Sequence, residues 1–530
     1  MSVLNDTVFN IQLSNNLSNY IIKQLALQLN NGAFQTAQGT TNWSAVLTLT
    51  AGTNIVAVKS VDWADNESSL FSRSLFYSVP ARLVVQITGG GLITPDLNGQ
   101  DLDIGRAFTM EAMPNPDHQF TNWTSVVGGT TNVATTLTKY TFLMQTNLIL
   151  QANFITNRFN GAAGNYNGLF WASNGVAHES AGFFTLKVTR QQAFTGKLYL
   201  DGQAVSFAGI LDQSGYGTLK KIIYRKGKDY LSLSVQLAWD GSQRVTGVVS
   251  NCVTGGWVAG MLGDKDVYTK QAIPTNWTGP TDGQTYTLVI AGGTNAAVEP
   301  AGDGYACVTV KTNGQIRVIG GGGLGDGHTF KPVTAVVSRN GDWPLYAMMY
   351  KERYDYTDLK GAPKTTTIYK GSIIGWLKFT NSTGDFTNRD LLDASLIWNK
   401  KSWTNACYPI GFTNQVSVLG AGYHKPPDGT NSLHIVGPAA IEVSDGNLAT
   451  NFTNRATINI DNQFDFLVPN VNTQKLAVVA KTGQLKGSFY HPNNTNTAKA
   501  TLIWGAILQD QNVARGYFTG TNQTGSVRVR

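Results

Sequence analysis

Alternation of apolar and polar positions runs through the chain. In Trp43-Ser44-Ala45-Val46-Leu47-Thr48-Leu49-Thr50, positions 43, 45, 47 and 49 are apolar, and Ile55-Val56-Ala57-Val58-Lys59-Ser60-Val61 continues in kind. Period two is what a strand with one buried face requires. Between the two runs, Ala51-Gly52-Thr53-Asn54 predicts a turn. Asn30-Asn31-Gly32 carries an Asn-Gly pair, which favours a type I′ hairpin because both residues tolerate positive φ. Short strands with a turn about every 8–12 residues predict a small sandwich over residues 1–80.

After Tyr77-Ser78-Val79-Pro80, which reads as a linker, a second set of strands runs from Arg82 to Phe154. It opens on Leu83-Val84-Val85-Gln86-Ile87, passes Gly89-Gly90-Gly91 and Thr94-Pro95-Asp96-Leu97-Asn98-Gly99, and continues through Gly105-Arg106-Ala107-Phe108-Thr109-Met110 and Phe120-Thr121-Asn122-Trp123. From about residue 158 the character changes and the text repeats. Gly182-Phe183-Phe184-Thr185-Leu186-Lys187-Val188-Thr189 is echoed by Gly304-Tyr305-Ala306-Cys307-Val308-Thr309-Val310-Lys311, and a partial third copy lies at Leu476–Phe489. Glycines recur inside these strands, as in Phe194-Thr195-Gly196-Lys197-Leu198, and mark bends where a sheet curls toward closure. Consecutive hairpins with such corners predict one large up-and-down barrel or two stacked barrels.

Three resemblances accompany these patterns. Leu29-Asn30-Asn31-Gly32-Ala33-Phe34, Asn42-Trp43-Ser44 and Val61-Asp62-Trp63-Ala64-Asp65-Asn66-Glu67-Ser68 resemble bacterial Ig-like modules, although Asp65 stands where that family usually has Gly. The resemblance implies a spacer, in which Asp62 and Asp65 are turn residues rather than a calcium site. Residues 81–156 resemble the divergent bacterial repeat related to the internalin B-repeat, a small sheet module of surface proteins in which Trp123 and Phe154 would be core. The rest is similar to uncharacterised repeats at the C-terminal ends of large secreted bacterial proteins, a resemblance that carries no activity. The expected fold class is therefore all-β: an Ig-like sandwich over 1–80, a repeat module over 81–156, and a duplicated antiparallel β-barrel region over 157–530. Within that region the copies fall at about 164–270 and 283–400, with an insertion at 401–473 and closing hairpins at 474–530.

Composition narrows the classes. At 530 residues the chain exceeds what one core usually serves. Only 14% of residues are charged while 42% are apolar and 57 are Gly, which suits sheets with tight turns and argues against disorder or long charged helices. The net charge of +7 and the pI near 9.0 raise the question of an anionic partner. The densest basic groups, Lys220 to Lys228 and the run from Lys351 to Lys360 with its interspersed Glu352, Asp355 and Asp358, read as solvated hairpin faces. Nucleic-acid binding, which needs a clustered footprint, is not expected. Three widely spaced cysteines, Cys252, Cys307 and Cys407, give neither a disulfide framework nor a zinc knuckle. No basic and apolar leader opens the chain at Met1-Ser2-Val3-Leu4-Asn5-Asp6, so a fragment or a mature form is expected, and no apolar run is long enough for a transmembrane helix.

Candidate chemistry is sparse. The six histidines, His118, His178, His328, His424, His434 and His491, show no metal spacing, and no motif implies a cofactor. Asp240, Glu352, Asp355 and Asp358 are the carboxylates to weigh for glycoside cleavage, which needs two acids flanking one bond, but loop charges account for them more simply. Gly320-Gly321-Gly322-Gly323-Leu324-Gly325-Asp326-Gly327 lacks the following helix that a phosphate loop needs and reads as a hairpin loop. Among the tryptophans, Trp343 and Trp403 sit beside polar loop text and are the expected exposed platform for a sugar face.

The reading that follows is a non-catalytic secreted or cell-surface adhesion or scaffold protein whose partner is a glycan or a surface or matrix protein. Two alternatives remain at this point: an accessory or catalytic part of a secreted polysaccharide-degrading enzyme, and an outer-membrane barrel. The missing terminal aromatic after Ser526-Val527-Arg528-Val529-Arg530 and charges such as Lys187, Lys197 and Lys311 on outward faces weigh against the last.

Overall fold

The structure, a computed structural model, describes residues 2–4, 8–14, 22–40, 42–269, 271–272, 277, 284–357, 361–381, 389–403, 407–493 and 499–530. It contains two compact units, Met1–Asn160 and Gly161–Arg530. Both are built from antiparallel strands almost throughout.

In the first unit, Ile22–Leu29, Gln35–Thr36, Gly52–Asp62, Phe71–Tyr77 and Ser2–Leu4 form a five-stranded sheet, and Val8–Ser14 pairs with Asn42–Thr48. The apolar positions of the alternating runs converge on one core: Leu25 and Leu27 meet Trp43, Leu47, Val56 and Leu75. The left-handed pair at the first turn is Asn30 (φ 50°) and Asn31 (φ 60°), one residue earlier than the Asn-Gly text predicts. The Asn30 side chain explains the shift, since its Oδ1 accepts the Ile55 amide at 2.8 Å while its Nδ2 donates to Asn54 at 3.0 Å. Asp62 holds the later turn by accepting the Ala64 and Asn66 amides, each at 2.9 Å.

The strands of residues 82–156 wrap a separate core. Trp123 is fully buried, donates its indole N–H to Thr138 O at 3.0 Å, and shares that core with Phe154, Met110 and Leu150.

The second unit holds three eight-stranded sheets. The first closes into a barrel, from Gly164–Ala172 to Val258–Lys265, because these two strands pair along Tyr166↔Lys265 to Ala172↔Ala259. Phe170, Phe184, Phe194, Leu198, Val235 and Val249 are all buried in this barrel. A side chain at Gly209 would put its Cβ 2.1 Å from the Phe194 ring, so the glycine makes room for the aromatic filling. Leu169, Ala181 and Phe183 pack instead into the core of the second sheet. Both faces of these strands are thus covered, which is why their apolar text is continuous rather than alternating.

The second sheet runs Ala335–Val336, Gln315–Gly323, Gly304–Val310, Gln284–Ile290, Phe412–Tyr423, Arg389–Lys400, Pro363–Asn381, Asp342–Thr357. The third runs Phe464–Phe466, Phe452–Ile458, Ala439–Asp445, Thr524–Val529, Val513–Thr519, Thr501–Leu508, Gln484–Phe489, Lys475–Val479. A backbone bond bridges the open seam of each, Val333 N to Tyr346 O at 2.7 Å and Val478 N to Asn462 O at 2.9 Å, so both sheets are barrel-like.

Two expectations are corrected by this pairing. The last strand joins Ala439–Asp445 and not the strand at 164, so there is no single large barrel. Residues 401–473 are not an insertion: Phe412–Tyr423 sits in the middle of the second sheet, and Ala439–Asp445, Phe452–Ile458 and Phe464–Phe466 belong to the third. The small residues Gly420, Ala421 and Gly422 and the Pro-rich turn after them conceal these strands in the text, whereas Val416 and Val418 are buried as strand residues are.

Candidate functional site

Two hairpins of the second unit face each other across a groove of about 960 Å³. One wall comes from the first barrel, Asp201 to Val205 with Tyr224 to Lys228, and the other from the long hairpin of the second sheet, Tyr354, Tyr356 and Thr366 to Lys370. The hairpin turn of the first wall needs positive φ at Asp201 (47°) and Gly202 (77°). Any Cβ at Gly202 would also lie 2.8 Å from the Tyr369 ring, so glycine lets the opposing wall come close.

On the second wall the period of the strand does the positioning. Tyr354 and Tyr356 are two residues apart and therefore point to one side, with ring centroids 6.4 Å apart and planes inclined by only 14°. The two rings are thus nearly parallel. Across the groove Tyr224 lies 5.7 Å from Tyr230, and both are exposed, at 65% and 53%. Lys226, Lys228, Lys370 and Lys401 line the same space against one carboxylate, Asp201.

At the floor, Asp201 is 2.9 Å from Lys228 Nζ, 3.7 Å from Arg225 and 3.7 Å from His178 Nε2. The His178 ring, nearly sealed, also lies 3.1 Å from Tyr369 O. Burial pushes its pKa down to about 4, with the nearby Lys401 and Lys228 adding to the effect and Asp201 opposing it. Burial likewise lowers the Arg225 guanidinium and raises the Tyr346 phenol. One carboxylate thus sits among two cations and a buried imidazole beneath an aromatic and basic rim.

A second constellation is built around a fully buried ion pair. The Asp326 and Lys400 side chains have no exposure and approach to 3.5 Å. Tyr350 donates its hydroxyl to Asp326 Oδ2 at 2.7 Å, His328 Nδ1 stands 3.3 Å from the same oxygen, and the Trp398 indole donates to Tyr350 at 2.7 Å. Lys400 donates to Cys407 O and lies 4.9 Å from the Tyr350 ring centroid. Burial presses the Asp326 carboxyl upward, but His328, Lys400 and Tyr350 outweigh it and hold the group below its ordinary value. Burial lowers Lys400, opposed by Asp326. Asp326 reaches this depth because Gly325 has no side chain: a Cβ there would be 1.9 Å from Gly302 O. The cluster is a lock that ties the Gly-rich loop into the second sheet.

The expected sugar platform is corrected. Trp343 is 1% exposed and stacks on Phe379 at 5.9 Å and 11°. Its polar neighbours Asn340 and Gly341 belong to the preceding turn, while the strand itself packs within the core that also takes in Leu169 and Phe183 of the first barrel. Trp403 is half-buried against His328 and Tyr350, at 4.9 and 5.6 Å, and so covers the cluster. Neither is among the described residues lining the groove.

The carboxylates weighed for glycoside cleavage are each tied locally. Asp240 accepts the Ser242 amide at 2.9 Å, Glu352 is 3.6 Å from Lys370, and Asp355 is 3.1 Å from Arg353; Asp358 lies outside the described residues. Among the described residues no group of three or more His, Cys, Asp or Glu could hold a metal ion. Cys252, Cys307 and Cys407 are unbridged, and burial pushes the Cys307 thiol up to about 12.

The groove itself is what the linear text conceals. Its two walls draw on the two densest basic segments of the chain, through Lys226 and Lys228 of one and Tyr354 and Tyr356 of the other, which sequence order separates by more than a hundred residues. A signal was present: each segment carries tyrosines, the exposed Tyr224 and Tyr230 in one and the exposed Tyr354 and half-buried Tyr356 in the other, interleaved with Lys and Arg.

Residues 82–158 match the family described as the divergent InlB B-repeat domain. No curated protein matches the chain. Solved structures that it resembles include a double mutant of Transferrin Binding Protein B from Haemophilus parasuis Hp5, at 8% identity and a TM-score of 0.17 over 98% of this chain and 85% of that one. Intact Ap-TbpB with its N and C lobes (8%, 0.16, 99% and 98%) and the isotype 1 protein from serogroup B Neisseria meningitidis (10%, 0.15, 99% and 98%) are similar to the same slight degree. Scores this low establish no common fold.

Proposed function

We propose that the chain is a non-catalytic secreted or cell-surface protein of the adhesion kind, in which residues 1–160 act as spacer modules and the second unit holds a partner in the groove between its first barrel and its long hairpin. The observation that carries this reading is the groove, where exposed Tyr224 and Tyr354 stand on opposite walls over the Asp201–Lys228 ion pair. Exposed aromatic rings beside cations are the usual makings of a recognition surface. The surface setting is supported by the divergent InlB B-repeat match. The barrel's outer positions Lys187 and Lys197 are exposed, which suits water better than acyl chains.

The test uses the full chain on immobilised polysaccharides, with the size of each polymer measured after incubation. Retention without shortening is expected, and it should weaken in the Tyr354→Ala/Tyr356→Ala variant. Shortened polymer would overturn the non-catalytic reading. Equal retention of the variant and the native chain would overturn the groove.

A further inference from the structure

We infer that the groove takes an acidic polysaccharide, its sugar rings lying on Tyr354 and Tyr356 and its acid groups reaching the lysines of the rim. The inference rests on the binding role proposed above and names the class of ligand.

Shape is the first argument. At about 960 Å³ the groove is at the upper end of small-ligand sites, and it lies between two exposed hairpins, so it suits a stretch of polymer passing through rather than a compact molecule. The nearly parallel rings of Tyr354 and Tyr356, 6.4 Å between centroids, offer apolar faces of the kind that pyranose rings cover. Hydroxyl and amide groups of Thr366, Thr367 and Gln203 line the same space and can bond to sugar hydroxyls.

Charge is the second argument. Lys226, Lys228, Lys370 and Lys401 face the groove with Asp201 alone among the lining acids, and Asp201 is held by Lys228 at 2.9 Å. The remaining pairings, Lys370 with Glu352 at 3.6 Å and Lys401 with Glu179, are at least a third exposed on most of their side chains, so solvent screens them and an incoming acid group can exchange for the glutamate. A neutral glycan would leave these amines unused. A nucleic acid needs a longer basic track than four lysines give.

Binding is measured by surface plasmon resonance with the native full chain over polygalacturonate, dextran sulfate, neutral dextran, oligo-dT and poly-glutamate at equal ionic strength. The first two separate carboxylate from sulfate recognition. The expected result is binding to one or both acidic glycans, weakened about tenfold or more by Tyr354→Ala/Tyr356→Ala, a loss of at least one good contact. In Lys226→Gln/Lys370→Gln, the affinity should fall and its dependence on salt should flatten. All four positions lie on the hairpin surfaces, and an unchanged unfolding transition of each variant confirms its fold. Binding to dextran, oligo-dT or poly-glutamate as tight as to the acidic glycans, and lost in the tyrosine variant, overturns the acidic sugar while the groove stands. No binding to any probe, or binding that the tyrosine variant leaves intact, overturns both.

Discussion

Replacing Lys400 with Met removes the positive partner of a carboxylate that has no access to water. Asp326 would keep the Tyr350 hydroxyl at 2.7 Å and the His328 amide at 3.1 Å, but the cation 3.5 Å away, also fully buried, would be gone. Breaking a buried pair by deleting one member costs about 3–5 kcal/mol, because the other charge stays desolvated and uncompensated. A denaturant slope of about 4 kcal/mol/M, reasonable for a unit of this size, turns that into a shift of roughly 1 M urea. Urea unfolding of the full chain, followed by tryptophan fluorescence, should show the transition of the second unit moving to lower urea by that amount. The transition of the first unit should not move, since the pair lies wholly within the second. Asp326→Asn/Lys400→Met removes both charges at similar volume and should recover more than half of the loss, since a neutral pair carries no stranded charge. A Lys400→Met midpoint within about 0.2 M of the native value, or a double variant no better than the single one, would refute the account of this cluster as a charge-compensated lock.

Three further outcomes follow from buried positions. Burial holds His178 at about 4 against an ordinary 6.5, so between those values the unfolded chain binds a proton that the native chain does not; stability should fall as pH drops through this window, by up to about 3 kcal/mol, and His178→Asn should abolish that part of the slope when urea midpoints are compared at pH 7 and pH 5. Gly325→Ala would drive a Cβ to 1.9 Å from Gly302 O and should destabilise the second unit by about 2 kcal/mol or more, read from the same transition. Trp343→Ala should cost about 3–5 kcal/mol, as deletion of a large core side chain does, with little change in glycan affinity under conditions where the variant is folded; an affinity loss without a stability loss would return Trp343 to a ligand platform.

Local signals in the text translated well into local structure. The alternation of Trp43, Ala45, Leu47 and Leu49 is a strand whose apolar face is buried, and the Asp62 turn is held by its own side chain as turn chemistry implies. The all-β class was legible for the same reason, since short-range periodicity and turn residues encode it, while the repeat module around Trp123 was legible through its resemblance to a known repeat family. What depends on long-range pairing was not. Closure of Gly164–Ala172 on Val258–Lys265 and the joining of Thr524–Val529 to Ala439–Asp445 leave no mark on either partner's text. Trp343 shows the same limit from another side, because its polar sequence neighbours belong to a turn while its partners in space, Phe379 of the same sheet and a core shared with Leu169 and Phe183 of the first barrel, are distant in the text. The groove was hidden likewise, each wall reading alone as a solvated basic hairpin.

A crystal structure of the full chain grown with a galacturonate oligomer tests the central claim most directly. The account predicts sugar rings over Tyr354 and Tyr356, with carboxylate oxygens within about 4 Å of the Lys226 or Lys370 amines. Oligomer bound elsewhere on the chain, or a groove left vacant at saturating oligomer, would contradict it.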